Sequence, residues 1–518
     1  MLKLFSVAFL LFEINLTQSA NILAVFPYPS ISHQLVFQPL IEKLVLLEHN
    51  VTVITPYPQY KKKEEAPYNL KEIDVQDLSY KIYRKIFNSD LYKEKRDTLN
   101  QIKLTLEVSL EVFEGQMLNE QVQEILKVVN KNFDIILVEA VLKVCLGLSH
   151  IFKGPIIQIS SMGPVPYNQD SYGIPDHPFL YPSFWNRRIY NLTVFEKVKE
   201  LQMNEWWIKN VRQELEIEEN RIIRNIFGPE TPNINELKKN VDMLFLNIHP
   251  IFVDNQPVPP DVIYVGGIHI KPRKELPKDL SKVLDSSKSG VIYFSMGTNI
   301  KKSHLPSETI QMFINTFSSL PYDILWKCDE DIQITSKNIK ILKWFPQSDL
   351  LAHPKVKLFI TQGGLQSTDE AINAGVPLIG LPMIADQWYN VEKYVHHKIG
   401  LKLDISTLTK EVLINAIETV ITNNSYRQNI LRLRALMQDQ KEKPLERAVR
   451  WIEYTLRHGG PKHMRSGAAN LTWQQYYELE LIIIAVAIIL ISMGLFLALV
   501  YFITHCILKF FKQKIKLT

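Results

Sequence analysis

From Leu481 to Leu508 the chain carries no aspartate, glutamate, lysine or arginine. A helix needs about 20 apolar residues to cross a bilayer. A buried helix of a soluble domain has no need to be apolar on every side for so long. The run therefore reads as one transmembrane helix, 479–508. Trp473, Tyr476 and Tyr477 precede it as interfacial aromatics, and Lys509, Lys512, Lys514 and Lys516 follow it. Positive residues stay cytoplasmic. This predicts a basic cytosolic tail, 509–518, with the bulk of the chain on the lumenal side.

The other end agrees with that orientation. Lys3, the apolar Leu4–Phe12 stretch and the small residues Ser19 and Ala20 read as a secretory signal peptide, 1–20. Sequons at Asn191, Asn423 and Asn470 suit a lumenal body, whereas Asn50-Val51-Thr52 opens an apolar strand and is expected to be too buried for modification. The closing "KIKLT" resembles the dilysine retrieval signals of endoplasmic-reticulum membrane proteins, so that membrane is the expected location. A length of 518 residues leaves room for roughly two to four domains. The net charge of +5 is spread without a compact basic patch interleaved with aromatics, so no nucleic-acid partner is expected. Three cysteines, Cys145, Cys328 and Cys506, do not make a disulfide framework. That disfavours an adhesion or receptor ectodomain.

Between the two ends, apolar strand-like runs alternate with helical patterns. "NILAVFP" is followed by a stretch with Leu40, Leu44 and Leu47 on one helical face, and then by "VTVITP", which makes a βαβ unit. "FDIILVEA" and "PIIQIS" continue the rhythm. From Pro164 to Pro232 the chain is rich in proline, aromatics and charge, with helical stretches and no clear strand. A second alternation starts near Val241, with "MLFLNI", "VIYVGG", "GVIYFSMG", "DILWKC", "IKILKWF", "KLFITQ" and "PLIGLP". Near-continuous apolar runs are typical of buried parallel strands. The expected class is α/β, with two Rossmann-like domains facing a cleft. The expected boundaries are 21–240 and 241–440, followed by C-terminal helices and a linker, 441–478.

Ligands of such sheets bind beyond the carboxyl ends of the strands. Four strand ends of the second half are polar there: Ser295, Gly297, Thr298 and Asn299; Trp344 and Gln347; Gln362, Gly363, Gly364, Ser367 and Glu370; Asp386 and Gln387. Paired glycines before a helix let backbone approach a ligand, and the helix start offers N–H groups to an anion such as phosphate. Ser367-Thr368-Asp369-Glu370 also fits a capping box with Ser367 as N-cap, which would only begin a helix. Both readings stand at this level. No GxxxxGK[ST] and no GxGxxG after the first strand is present, which disfavours a P-loop ATPase or an ordinary dinucleotide enzyme.

The stretch "WFPQSDLLAHPKVKLFITQGGLQSTDEAINAGVPLIGLPMIADQWYN" resembles the signature of the UDP-glycosyltransferases, nearest to the membrane-anchored, insect-type members. "SHQLVFQPL", "VIYVGGIHI", "GVIYFSMGTN" and "KHMRSGAANLTWQQYYELE" follow the same family in order and spacing. The resemblance implies a GT-B fold, with acceptor bound mainly by the first domain and nucleotide sugar by the second. It implies inverting transfer of a sugar, with glucose first among donors, from UDP to a hydroxyl of a small lipophilic acceptor, the chemistry of detoxification. The UDP-sugar is a co-substrate; no cofactor and no metal are expected.

Carried over residue by residue, the resemblance puts Trp344 against uracil and Gln347 near base and ribose. Glu370 then accepts from ribose hydroxyls. Ser295, Thr298 and Ser367 face the diphosphate beside Gly363 and Gly364, and Asp386 and Gln387 take sugar hydroxyls. Many family members have histidine where this chain has Gln362; glutamine can donate through its amide but cannot become cationic.

The base is expected at the end of the first strand. His33 opens the first helix, whose positive end disfavours imidazolium and leaves the ring free to take a proton. Glu139, at the end of "FDIILVEA", stands where mammalian members have an aspartate that orients this base. His49 reads as a helix-end histidine, and Asp134 as a residue that opens its strand. Asp329-Glu330-Asp331 matches the D-x-D that binds metal in another glycosyltransferase class, but it reads as a solvated loop. The acceptor pocket is expected to draw on 164–232. A catalytically inactive member that binds lipophilic ligands is the competing function. A homo-oligomer is allowed, and the bilayer is the expected further partner.

Overall fold

The structure is a computed structural model that describes residues 19–60, 62–88, 98–127, 133–165, 169–298 and 305–515. Most of the expected signal peptide, together with Asn299 and Lys516, lies outside the described residues. Ala20, its expected last residue, is already part of the fold: it is buried, and its N–H donates to His49 Nδ1 at 3.2 Å.

Two parallel sheets form the body. The first contains β1 (Asn21–Val25), β2 (Asn50–Thr55), β3 (Leu70–Asp74), β4 (Ile135–Glu139), β5 (Ile156–Ser160), β6 (Val241–Leu246) and β7 (Val262–Tyr264), in spatial order β3-β2-β1-β4-β5-β6-β7. The second contains β8 (Val291–Ser295), β9 (Asp323–Lys327), β10 (Ile339–Leu342), β11 (Val356–Thr361), β12 (Leu378–Gly380) and β13 (Gly400–Lys402), in order β10-β9-β8-β11-β12-β13. Every β1 side chain after Asn21 is buried, as are all of β4 and β8, which is what helix-covered parallel strands require. The two sheets are the two Rossmann-like units expected from the sequence.

The strand order corrects the expected boundary at 240/241. β6 and β7 belong to the first sheet, with Met243 opposite Ile157 and Leu244 opposite Val262. The second sheet begins only at β8. Apolar patterning announces a strand but not its neighbour, so the alternation gave no sign of this. The Pro444–His458 helix returns to the first domain, where Ala448, Val449 and Ile452 pack with Ile22, Ala24, Val36 and Phe37. His49 is wholly buried, and its Nε2 lies 2.7 Å from Glu453 Oε1 on that helix, so its role is structural.

Among the described residues one helix, Leu479–Ile515, has a stretch long and apolar enough to cross a membrane, Leu479–Phe510. Asn191 and Asn423 are exposed, while Asn470 is half-buried. Asn50, expected to be buried, is exposed: it is the first residue of β2, at the sheet's rim, where its Nδ2 donates to Asn21 Oδ1 at 3.3 Å.

Candidate active site

Each sheet has a switch point, where the strand order reverses and the loops diverge to leave a crevice. In the first sheet it lies between β1 and β4, in the second between β8 and β11. The carboxyl ends of both pairs line one cleft of about 470 Å³.

On the first side the chain leaves β1 through Phe26-Pro27-Tyr28 and enters the Ile31–Leu46 helix. Gln34 fixes this loop by donating from Nε2 to Phe26 O and Tyr28 O, both at 2.9 Å. His33, third in the helix, thereby faces the end of β4, and its Nδ1 lies 2.8 Å from Glu139 Oε1. Glu139 is fully buried, and its Oε2 accepts from Tyr28 N at 3.0 Å. An ionised carboxylate has no hydrogen to give, so Nδ1 carries one and Nε2 keeps its lone pair. The His33 side chain retains 12% exposure, enough for that lone pair to meet a ligand. The Tyr28 ring lies 4.4 Å from the imidazole and limits its rotation.

On the second side Trp344 stands 56% exposed at the cleft, an aromatic platform with Lys327 Nζ 6.0 Å from its ring centroid. Gln347 organises what lies below. It accepts from Tyr293 Oη at 3.1 Å and donates to Ser367 Oγ at 2.9 Å and to Glu370 Oε2 at 2.6 Å. Burial pushes the Glu370 carboxyl up to about 7, against the lowering effect of the Gln347 bond and with the Asp349 charge adding to the rise.

The capping-box reading of this stretch is overturned. The helix runs Leu365–Ala374 with Gly364 as N-cap, so Ser367 is its third residue and caps nothing. The cause is Gly363, whose φ of 94° turns the chain into the helix three residues before a Ser367 cap would. Ser367 and Glu370, three apart, then share the helix face toward Gln347. The two glycines also divide their tasks. Gly364 lines the cleft, whereas a Cβ on Gly363 would come within 2.4 Å of Val391 Cγ2, so Gly363 serves the turn and close packing.

Ser295, Thr298 and Gln362 line the same region. A Cβ on Gly297 would lie 2.1 Å from Gln362 Nε2, so the absent side chain makes room for that amide. Gln362 Oε1 is buried without a protein partner. Asp386 accepts from Asn390 Nδ2 at 2.8 Å, and the same amide donates to Gly363 O at 2.9 Å. Burial raises the Asp386 carboxyl, while the Asn390 bond and then the nearby His33 pull it down. Gln387 is partly committed elsewhere: its Oε1 accepts from Met383 N at 2.9 Å and Ile384 N at 3.0 Å, which leaves its amide nitrogen for a ligand.

Several site residues were not anticipated from sequence. Lys327, at the end of β9, lines the cleft and donates to Gly297 O and Asp329 Oδ2, both at 3.0 Å. A lysine closing the apolar run "DILW" was the signal that could have found it. Asp329, part of the D-x-D match, is thus the partner of a cleft cation. The cleft's apolar wall draws on the expected 164–232 region and on one further helix. The 164–232 region supplies Val165 and Phe184, whereas the Thr98–Met117 helix supplies Gln101, Ile102, Thr105 and Leu106.

Residues 21–517 match the family model described as UDP-glucoronosyl and UDP-glucosyl transferase. The ecdysteroid UDP-glucosyltransferase of Spodoptera littoralis nuclear polyhedrosis virus is 36% identical over 483 residues, covering 90% of this chain and 93% of the viral protein. UDP-glucosyltransferase 2 of Dactylopius coccus is 32% identical over 483 residues, covering 93% of this chain and 92% of its own. Among solved structures, the glycotransferase of kitacinnamycin aligns with a TM-score of 0.56 at 15% identity, over 84% of this chain and 98% of its own. CalG4, the calicheamicin glycosyltransferase, aligns with a TM-score of 0.53 at 14% identity, over 85% and 99%.

Proposed function

Because this chain belongs to the UDP-glucuronosyl and UDP-glucosyl transferase family and is a UDP-sugar-dependent transferase, we propose that it moves glucose, with inversion, onto a hydroxyl of a small lipophilic acceptor, with His33 as general base. The observation that carries this reading is the 2.8 Å His33–Glu139 pair set across one cleft from the Trp344, Gln347 and Glu370 constellation.

In this mechanism the acceptor oxygen attacks the anomeric carbon on the face opposite UDP. The new C–O bond forms as the bond to the β-phosphate oxygen breaks, and the hydroxyl proton passes to His33 Nε2. Glu139 stabilises the imidazolium that results. The departing diphosphate gains charge, which in this reading is offset by the start of the Leu365–Ala374 helix, the Ser295 and Thr298 hydroxyls, the Gln362 amide and Lys327, all lining the cleft. With that compensation no metal is required. UDP release from UDP-glucose is expected to continue in excess EDTA; a loss on chelation that magnesium restores would contradict the proposal.

The wall formed by Ile102, Leu106, Val141, Val165 and Phe184 suits a largely apolar acceptor. The viral relatives are ecdysteroid UDP-glucosyltransferases, so ecdysteroids are the first steroids to assay, beside phenols and flavonoids. A donor-by-acceptor screen on microsomes expressing the chain tests the function as a whole. The apolar C-terminal helix and the lysines after it support anchorage in the endoplasmic reticulum with a lumenal body. Protease protection in sealed microsomes checks this orientation.

Donor binding carries a pH signature. In this reading Glu370 accepts ribose hydroxyls only when ionised, and burial pushes its carboxyl up to about 7. The groups that face it are Gln347, Asp349, Asp369 and Tyr293. The UDP-glucose diphosphate itself does not titrate near neutrality. Donor Kd is therefore expected to weaken as pH falls below about 7, by up to about tenfold per unit, and Glu370→Gln to flatten the profile. Calorimetric Kd values that stay constant from pH 5.5 to 8.5 (a range of ~3 units) would remove Glu370 from donor binding.

A further inference from the structure

We propose that Ser161 is a positioning residue for the base and, through Gln366, ties that base to the helix facing the donor diphosphate; this rests on the reading of His33 as base. Ser161 follows β5, is fully buried, and places its Oγ 2.7 Å from His33 Nδ1. Glu139 Oε1 lies 2.8 Å from the same nitrogen, so one N–H faces two oxygens. Rotation of the imidazole about its Cβ–Cγ bond loses both. The Ser161 carbonyl accepts from Asn247 Nδ2 at 3.1 Å on its own domain and from Gln366 Nε2 at 3.0 Å on the opposite one.

Gln366 is the second residue of the Leu365–Ala374 helix. It is held from its other side, since His269 Nε2 lies 3.3 Å from Gln366 O. Burial holds His269 down at about 4, so it is neutral and donates from Nε2. A continuous set of contacts therefore runs from the base ring through Ser161 and Gln366 to the turn that begins at Gly364. A donor that settles this helix start also seats the loop that holds the base. The charged and titratable groups around His33 are Glu139, Asp386 and Tyr28.

The test is steady-state kinetics and pH profiles of the full-length chain, with UDP-glucose and a phenol turned over by the wild type. Ser161→Ala should lower kcat by about tenfold, the size of one hydrogen bond to a charged group, and leave KM for UDP-glucose unchanged. A hydroxyl that accepts from the imidazolium favours the charged ring. Its loss should therefore move the acid limb of the kcat profile to lower pH. Gln366→Leu should lower kcat in the wild type but add little in the Ser161→Ala background.

Wild-type kcat and profile in Ser161→Ala overturn the positioning role. Full multiplication of the two effects overturns the link through Gln366. His33→Ala, assayed in parallel, separates the readings. If it stays active, the base assignment fails. If it is inactive while Ser161→Ala is normal, only this inference fails.

Discussion

His33→Ala abolishes nearly all transfer: kcat is expected to fall by about 10³-fold, the scale of a lost general base, while UDP-glucose still binds with its normal Kd. The separation follows from geometry. His33 and Glu139 come from the first domain, and the residues assigned to the nucleotide come from the second. Truncating the imidazole removes the proton acceptor and leaves Trp344, Gln347 and Glu370 in place. Single-turnover sugar transfer and calorimetric donor binding read the two effects independently. A His33→Ala enzyme with near-normal kcat would end the mechanism. A wild-type chain inactive toward every donor and acceptor would instead favour a binding protein built on the same cleft.

Glu139→Gln is expected to cost almost as much, about 10²–10³-fold in kcat, without a large loss of stability. The buried carboxylate accepts two hydrogens, from Tyr28 N at 3.0 Å and from His33 Nδ1 at 2.8 Å. An amide has one acceptor and one donor end. If its oxygen takes the Tyr28 N–H, its NH₂ meets Nδ1 and drives the imidazole to the wrong tautomer, with the proton on Nε2. If its oxygen takes Nδ1–H, two donors collide at Tyr28. In either arrangement the negative charge that stabilises the imidazolium is gone. Circular dichroism and thermal melting establish that the variant is folded, and kcat then reports the tautomer. Activity within about threefold of wild type, too small for a lost charged hydrogen bond, would show that Glu139 does not orient the base.

The two halves of the site were unequally legible in the sequence. Trp344, Gln347, Gly364, Ser367, Glu370, Asp386 and Gln387 fall in one continuous stretch at three successive strand ends, and the structure brings them to one cleft. Local order suffices there, because each residue sits just past a strand whose apolar run marks its end. The first-domain half is assembled from afar. His33 is 106 residues from Glu139 and 128 from Ser161, and only the Glu139 partner could be anticipated, through resemblance. Ser161, Gln366 and Asn390 had no such signal, since polar residues in loops are common and nothing local says which of them will meet.

The sequence by itself determined the apolar C-terminal helix, the α/β rhythm, the strand ends and the turn glycines, because each depends on burial and backbone preference within a few residues. Tertiary structure decided which sheet Val241–Leu246 would join, that Gly364 rather than Ser367 would cap the Leu365–Ala374 helix, and that the Thr98–Met117 helix would wall the cleft. It also decided that the Pro444–His458 helix would return to the first domain. A hydrophobic pattern records how much of a residue is buried, and not against what. Strand neighbours, helix destinations and the meeting of His33, Glu139 and Ser161 are choices among partners of equal apolarity, and only packing of the whole chain distinguishes them.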